Sequence, residues 1–342
     1  MRQKGVFIMA HEVFKKTPLI SIVLPVFNEE AGIEETIDVL LHYVAARQER
    51  YELIFVDDGS RDNSVKIIRE AMRRAPQIKL VEFSRNFGHQ LAITAGVRYA
   101  SGDAVVVMDA DLQDPPSVIP AMIAKWQAGY AVVYGKRRHR DGESWFKKAS
   151  AAAFYRILHS ITNVNMPVDT GDFRLMDRQV VDVLDQMNEP DPFVRGMVSW
   201  IGFKQTGVLY DRKERYAGTS KYPLRKMLGL AMNGITSFSR LPLILGYWAA
   251  GVLGVSSILV LLGNLLRGTL TAETWVIITV ALTGALILLA LGAMGTYVGR
   301  MFTASRERPL YIVAKTEGFQ QAQVHTHPQT QKEDSNLVQL RN

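Results

Sequence analysis

The chain has 342 residues, is 48% hydrophobic and carries a formal net charge of +7. It is long enough for one large or two ordinary domains, and too apolar for a disordered protein. It has no cysteine, which excludes disulfides, thiolate catalysis and cysteine-bound zinc and is typical of a reducing compartment. Basic residues beyond the first part of the chain lie beside long apolar runs, so we expect an anionic membrane surface as partner and no nucleic acid.

Short apolar runs alternate with helical periodicity in the first part of the chain. Four runs read as buried strands, at residues 19–24, 53–56, 79–83 and 104–108. Alternation over 18–135 predicts an α/β fold with a doubly wound, mostly parallel sheet, whose strands end at one common edge. The chain lacks a G-x-G-x-x-G motif after the first strand and any G-x-x-x-x-G-K-[ST] motif, which disfavours dinucleotide oxidoreductases and P-loop enzymes.

Acidic side chains follow these strands. The fourth strand runs into the sequence DADLQDPP, so Asp109 and Asp111 leave the sheet at one point with Gln113 just beyond. Two carboxylates at this spacing can share one hard divalent cation that holds a diphosphate. The alternative is a solvated turn, because Asp and Pro are common turn formers.

Three later stretches each allow two interpretations. The basic run 135–140 follows a strand at 131–134 and supplies donors for a diphosphate, or is a solvated loop. The apolar stripe of 145–161 lies on a membrane or packs against the sheet. Asp172, in the sequence TGDFRL, is a site candidate or part of a turn.

Two long segments, 241–266 and 274–299, contain no charged side chain and are long enough to span a bilayer. Arginines and lysines flank the outer ends of this predicted two-helix hairpin, which places both termini and the catalytic domain in the cytoplasm, at the cytoplasmic (inner) membrane. We expect no cleaved signal peptide, with Met9 as an alternative start. The predicted organisation is an N-terminal extension (1–17), a catalytic domain (18–221), an amphipathic juxtamembrane segment (222–240), two transmembrane helices (241–299) and a tail (300–342) that is disordered from about 316.

Seven motifs and the hairpin occur in an order that resembles a known family. The motifs are PVFNEE, VDDGS, SRNFGHQ, DADLQDPP, GKRR, GDFRLMDR and RYAGTSK, and with the hairpin they cover roughly residues 18–310. The chain resembles the inverting glycosyltransferases of family 2 that have the GT-A nucleotide-sugar-binding fold, specifically the polyprenyl-phosphate branch. This branch contains dolichol-phosphate mannose synthases and bactoprenol glucosyltransferases, and the latter look closest.

The resemblance implies a role for each matching residue. Asp111 and Asp172 would be catalytic, with Asp172 near the reacting sugar as an orienting group or a base. Mg²⁺ or Mn²⁺ on the donor diphosphate would be held by Asp109, Asp111 and Gln113. His89 departs from the family, which often has lysine there, so a cationic role would depend on pH. The nucleotide-sugar contacts would come from Pro25, Phe27, Glu29, Asp57, Asp58, Arg85 and Arg137, and the acceptor-phosphate contacts from Arg215 and Lys221.

The implied reaction is transfer of one hexose to undecaprenyl phosphate, with UDP-glucose as the leading donor. The resemblance also implies a homo-oligomer such as a tetramer, and it allows a flippase and a downstream transferase as partners. Two alternatives stay open at this point. One is a transferase that uses another membrane lipid, such as diacylglycerol or ceramide, and the other is a non-catalytic membrane scaffold that binds nucleotide sugars.

Overall fold

The computed structural model describes residues 17–138, 170–189, 191–211, 272–306 and 308–319, together with a few helical residues between 251 and 259. Eight strands in these ranges form one sheet, in the order β7-β5-β6-β4-β1-β2-β3-β8. Their bounds are β1 (Leu19–Val26), β2 (Arg50–Asp57), β3 (Ile78–Phe83), β4 (Ala104–Val107), β5 (Val132–Arg137), β6 (Thr170–Asp177), β7 (Gln205–Tyr210) and β8 (Val313–Glu317).

Helices cover both faces of this sheet. Residues of α1, α2 and α4 share one buried apolar cluster with the sheet, and residues of α3, α5 and α6 share the other. The helices are α1 (Ile33–Ala45), α2 (Ser64–Arg74), α3 (His89–Tyr99), α4 (Ile119–Gln127), α5 (Arg178–Asp185), α6 (Val194–Ile201) and α7 (Ala272–Ser305). The predicted α/β architecture with helices on both faces is confirmed.

The four predicted N-terminal strands all form. Successive side chains of a strand point to opposite faces, so Ile22 and Leu24 of β1 enter one apolar cluster while Val23 enters the other. β1 is parallel to β2 and to β4, and β2 is parallel to β3. A strand that is buried on both faces needs a nearly continuous apolar run, which is why these strands were visible in the sequence.

The sheet is mixed but mostly parallel, as expected: six of the eight described strands run in one direction, and β6 and β8 run the opposite way. Among the described strands, four pairings are parallel and three are antiparallel. β6 runs antiparallel to both β4 and β5, with Val107 opposite Arg174. Its sequence TGDFRLMD reads locally as a turn, but Phe173 and Leu175 enter one cluster and Met176 enters the other. Partners on both sides therefore determine its extended conformation.

The edge strand β8 was not predicted. It pairs antiparallel with β3, and Tyr311 just before it stacks on Phe83 with ring centroids 5.0 Å apart. Arg69 also forms ion pairs with Glu82 of β3 and with Glu317 of β8. The predicted start of disorder near 316 is therefore too early, because residues 316–319 belong to β8 or directly follow it.

One helix among the described residues is long and apolar enough to cross a membrane. It is the part of α7 from Leu282 to Thr303, which overlaps the second predicted span, 274–299. The two-helix hairpin is not shown, because nearly all of the first predicted span, 241–266, lies outside the described residues. The same holds for the amphipathic stretch 145–161 and the juxtamembrane segment 222–240.

Candidate active site

The predicted acidic residues converge at one edge of the sheet. Because β1, β2 and β4 are parallel, the residues that follow them emerge on the same side. β6 runs in the opposite direction, so its beginning lies at this edge and brings Asp172 close to Asp109. Three separate segments of the chain, after β2, after β4 and at the start of β6, thus bring carboxylates to one place. The alternation of strands and helices predicted this for the segments after β2 and β4.

Asp57 and Asp58, which we call the loop pair, are buried and held by backbone N–H groups. The Asp57 carboxylate accepts hydrogen bonds from the N–H groups of Gly59 and Ser60, at 3.1 to 3.2 Å. Asp58 accepts from Phe87 N at 2.6 Å and from Gly88 N at 3.0 Å. Burial raises the pKa of both carboxyls, although these N–H donors act in the opposite direction.

Gly59 allows the loop pair to meet the segment that follows β3. It has a φ of +73°, and a Cβ at this position would lie 2.5 Å from the backbone carbon of Arg85. Only glycine fits such a contact in this conformation. Asn86 then donates its side-chain N–H to Asp58 at 2.9 Å, and the Arg85 guanidinium lies over the Phe87 ring, 3.9 Å from its centroid.

The residues after β1 complete this side of the edge. Pro25 is buried inside β1, whereas Phe27 beyond it is 38% exposed. Asn28 has a φ of +54° and accepts a hydrogen bond from Arg61 N at 2.8 Å. Glu29 N donates to the Ser64 hydroxyl at 2.9 Å, which fixes the loop above the start of α2.

The DADLQDPP loop carries a carboxylate oxygen that suits a cation. Asp109 Oδ1 is buried and has no hydrogen-bond partner among the described residues. Burial raises the pKa of Asp109 to about 6, and the neighbouring carboxylates add to this rise while His89 opposes it. Leu112 has a φ of +56°, an unusual conformation for its side chain, and this turn lets Asp111 accept from Gln113 N at 3.1 Å.

No group of three or more histidine, aspartate or glutamate side chains in the described part of the chain is arranged to hold a metal ion. Asp109, Asp111 and Gln113 nevertheless offer the oxygen ligands that Mg²⁺ and Mn²⁺ prefer. Mg²⁺ is usually bound by one or two carboxylates together with substrate phosphates and waters. The donor set therefore fits a cation whose coordination is completed by a diphosphate.

Asp172 lies in a cluster of charged and polar side chains contributed by α3, β6, α6 and the loop after β4. Arg195 of α6 grips its carboxylate with two nitrogens, Nε at 2.8 Å from Oδ1 and Nη2 at 3.3 Å from Oδ2. Gln90 donates to Oδ2 at 3.2 Å. His89 Nε2 lies 3.5 Å from Asp172 Oδ2 and 3.6 Å from Asp109 Oδ1. We call these five residues, His89, Gln90, Asp109, Asp172 and Arg195, the charged cluster.

In the charged cluster the pKa values of the two carboxyls shift in opposite directions, upward for Asp109 and downward for Asp172. Burial by itself raises the pKa of Asp172, but Arg195 and His89 hold it well below the usual range. Burial lowers the pKa of His89, but Asp172 and Asp109 raise it by more, which favours the imidazolium. Asp172 is therefore a stable anion and a weak base.

Arg137 reaches the same edge from the end of β5. Its Nη2 atom lies 3.0 Å from where a Cβ on Gly171 would stand, so glycine there leaves room for the guanidinium. The buried Nε atom of Arg137 has no hydrogen-bond partner among the described residues, which is expected if this guanidinium binds an anionic ligand. Nearby, the Tyr210 hydroxyl donates to the buried Asp114 carboxylate, which ties the DADLQDPP loop to β7.

Sequence reasoning missed Gln90, Arg195 and Tyr210, and noted His89 only as a departure from the family. Arg195 lies 23 positions from Asp172, and Tyr210 lies 96 positions from Asp114. No local pattern marks Arg195 or Tyr210, because their contacts form only when the elements pack, whereas Gln90 ends the SRNFGHQ motif, a signal that could have found it. The predicted acceptor-phosphate residues Arg215 and Lys221 lie outside the described residues.

Comparison with known proteins identifies the family. A sequence model described as glycosyl transferase family 2 matches residues 21–185. The uncharacterized glycosyltransferase YkcC of Bacillus subtilis is 49% identical over 310 residues, which cover 89% of this chain and 96% of that protein. The prophage bactoprenol glucosyl transferase homolog of Escherichia coli is 36% identical over 307 residues, or 87% of this chain and 99% of that protein.

A solved structure of glucosyl-3-phosphoglycerate synthase from Mycobacterium tuberculosis, with Mn²⁺, UDP-glucose and phosphoglyceric acid, has a TM-score of 0.45 and 21% identity, covering 65% of this chain and 78% of that one. The match to each of these two bacterial relatives extends over nearly the whole length of that relative. The chain therefore belongs to glycosyl transferase family 2, and it is a transferase enzyme.

Proposed function

We propose that this protein is a membrane-anchored inverting glycosyltransferase that moves one hexose from a nucleotide sugar to undecaprenyl phosphate at the cytoplasmic leaflet. UDP-glucose is the leading donor. Support comes from relatives named bactoprenol glucosyl transferase that are 36% identical over almost their entire length. The apolar helix within α7 supports attachment to a membrane, where a polyprenyl chain presents its phosphate.

The observation that carries the proposal is the ionised state of the Asp172 carboxyl group. A hydroxyl acceptor needs a base to remove its proton as it attacks the sugar, and a base with a strongly lowered pKa performs this poorly. A phosphate monoester has a second pKa of about 6, by analogy with phosphorylated side chains, and is already largely ionised at neutral pH. An Asp172 held as a stable anion by Arg195 therefore suits a phosphate acceptor better than diacylglycerol or ceramide.

The residues at this edge of the sheet would then have different roles in the reaction. The loop pair and Arg85 would bind the nucleoside, and Arg137 would contact the donor phosphates. Asp109, Asp111 and Gln113 would hold a divalent cation, whose chemistry when bound is to neutralise charge on the leaving diphosphate. Asp172 would orient the donor sugar so that the acceptor oxygen meets the anomeric carbon on the face opposite the diphosphate.

The test is sugar transfer by the full chain purified in detergent. UDP- and GDP-sugars are offered with undecaprenyl phosphate, diacylglycerol or ceramide, with and without EDTA. We expect product only with undecaprenyl phosphate, from one donor, with loss of activity in EDTA and recovery on addition of Mg²⁺ or Mn²⁺. The product should release its sugar in mild acid, because glycosyl phosphates are acid-labile.

Two results would contradict the proposal. Transfer to diacylglycerol or ceramide would identify a hydroxyl acceptor and a different role for Asp172. Binding of a nucleotide sugar without turnover on any acceptor would favour the scaffold alternative. Lys221→Ala provides a further check, since it should raise the KM for undecaprenyl phosphate strongly while leaving that for the donor unchanged.

A further inference from the structure

Gln90 connects three elements of the charged cluster. It is the second residue of α3, and its side chain is half-buried between β6 and α6. The Nε2 group donates to Asp172 Oδ2 at 3.2 Å, while Oε1 accepts from the backbone N–H of Val194 at 3.0 Å. One amide side chain thus joins the start of β6 to the start of α6.

The bond to Val194 positions the helix that carries Arg195. Val194 is the first residue of α6, and Phe193 at the N-cap position contributes no side-chain capping bond. The first N–H groups of a helix have no partner within the helix, so an acceptor from elsewhere in the fold stabilises that end. Gln90 supplies this acceptor one residue before Arg195, which grips Asp172.

The orientation of the amide follows from its two partners. Asp172 offers only acceptors and the Val194 N–H is a donor, so the NH₂ group must face the carboxylate and the oxygen must face the helix. Oδ2 of Asp172 receives its Arg195 contact at 3.3 Å, longer than the 2.8 Å contact at Oδ1. The Gln90 donor at 3.2 Å is thus the shortest described contact of Oδ2, which Arg195 at 3.3 Å and His89 at 3.5 Å also approach.

We propose that Gln90 is a positioning residue for sugar transfer, which holds the Asp172 carboxylate and the Arg195 helix in their reactive arrangement. The inference rests on the proposed function, because its kinetic consequence is a change in transfer. The hydrogen bonds described for the Gln90 side chain go to Asp172 and Val194, and none of them joins it to the proposed diphosphate-binding residues or to the loop pair. A defect at Gln90 therefore acts on the geometry of the reacting sugar more than on binding of the nucleotide.

The decisive variant is Gln90→Glu. It keeps the length of the side chain and the acceptor for Val194, but it places a carboxylate oxygen against Asp172 instead of a donor. We expect kcat to fall by about tenfold or more, with the donor KM within about twofold of wild type. Gln179→Glu is the matched control, since Gln179 is exposed on α5 and the chemical change is identical. Equal kcat values for the two variants, or a fall at Gln90 that appears only in KM, would overturn the proposal.

A second measurement does not depend on activity. Asp172→Asn combined with Gln90→Glu restores a donor and acceptor pair, now with the donor on residue 172. We expect the loss of thermal stability in the double variant to be smaller than the sum of the two single losses. Additive losses would contradict direct coupling between Gln90 and Asp172. If Gln90→Glu does not fold alone, recovery of folded protein in the double variant supports the contact, and continued failure contradicts it.

The two measurements separate the inference from the proposed function. If wild-type protein transfers sugar to no acceptor while the stability losses still couple, the proposed function fails and the contact stands. If wild type is active and the stability losses are additive, the positioning role fails and the proposed function stands.

Discussion

The loop pair and the charged cluster each contain buried carboxylates at the same edge of the sheet. Different groups stabilise these carboxylates in the two regions. Asp58 is held by backbone N–H groups of Phe87 and Gly88, and burial raises its pKa. Asp172 is held by the Arg195 guanidinium, and its pKa is well below the usual range. Backbone donors supply hydrogen bonds without a full charge, whereas a guanidinium compensates the charge itself.

From this difference we propose that the two regions have separate roles in the reaction. Backbone donors form a rigid cradle that suits a neutral nucleoside, which needs shape and hydrogen bonds. The charged cluster contains Asp109, the proposed cation ligand, where the reaction would build and move charge. Variants in the charged cluster should therefore change kcat, and variants in the loop pair should change the donor KM.

The largest effect is expected at Asp109. Asp109→Asn keeps the shape of the side chain but removes the charge of the buried Oδ1 oxygen that would bind a cation. Loss of several kcal/mol of electrostatic stabilisation corresponds to a fall in kcat of about a thousandfold. Sugar transfer measured over a titration of Mn²⁺ checks this. Asp38→Asn is the control and should keep full activity, because Asp38 is an exposed carboxylate on α1. Substantial activity of Asp109→Asn without metal would contradict the assignment of Asp109 as a cation ligand.

The next effect is expected at Arg195. Arg195→Ala leaves the Asp172 carboxylate largely buried without its strongest donor, so we expect a loss of about 2 kcal/mol in the free energy of unfolding and a fall in kcat of about 100-fold. Unfolding by denaturant in detergent and transfer kinetics measure the two effects. Arg74→Ala removes the exposed ion pair with Asp38 and should cost little. Similar losses of unfolding free energy and of kcat in Arg195→Ala and Arg74→Ala would contradict a specific role of the contact between Arg195 and Asp172.

A smaller and different effect is expected in the loop pair. Asp58→Asn replaces one acceptor oxygen with an NH₂ group that faces other N–H donors. We expect the donor KM to rise about tenfold, with kcat within about threefold of wild type. Asp103→Asn is the control, because Asp103 also accepts from a backbone N–H, that of Leu19, but at the opposite edge of the sheet. A change confined to kcat at Asp58 would contradict the proposed separate roles of the two regions.

The smallest effect concerns a carboxylate far from both regions. Burial by itself raises the pKa of Glu52, but hydrogen bonds from Lys79, Ser21 and Ser101 lower it below the ordinary glutamate value of 4.5. Ionised Glu52 therefore stabilises the fold above pH 4.5, and this contribution is lost as the pH falls through the lowered pKa. The difference in melting temperature between wild type and Glu52→Gln should shrink from pH 7 towards pH 3. A difference that stays constant with pH would contradict the role of the charge.

Much of this molecule was determined by the sequence alone. Largely apolar runs marked β1 to β4, because a strand buried on both faces carries mainly apolar side chains, and the buried Ser21 and Glu52 are exceptions that bond to each other. Parallel pairing then required Asp57 and Asp109 to emerge at one edge. These predictions depend only on short-range patterns and on the rules of sheet topology, so they did not require the structure.

Tertiary structure decided what the local sequence left open. β6 and β8 are strands because neighbouring strands offer partners to segments with weak patterns of their own, and this also made the sheet mixed. Gln90 and Arg195 meet Asp172 only when α3, β6 and α6 pack together. Contacts between distant segments leave no periodic signal in the chain, because their energy depends on the approach of whole elements. The sequence therefore predicted where the carboxylates would lie, and the packing determined which of them are held as stable anions.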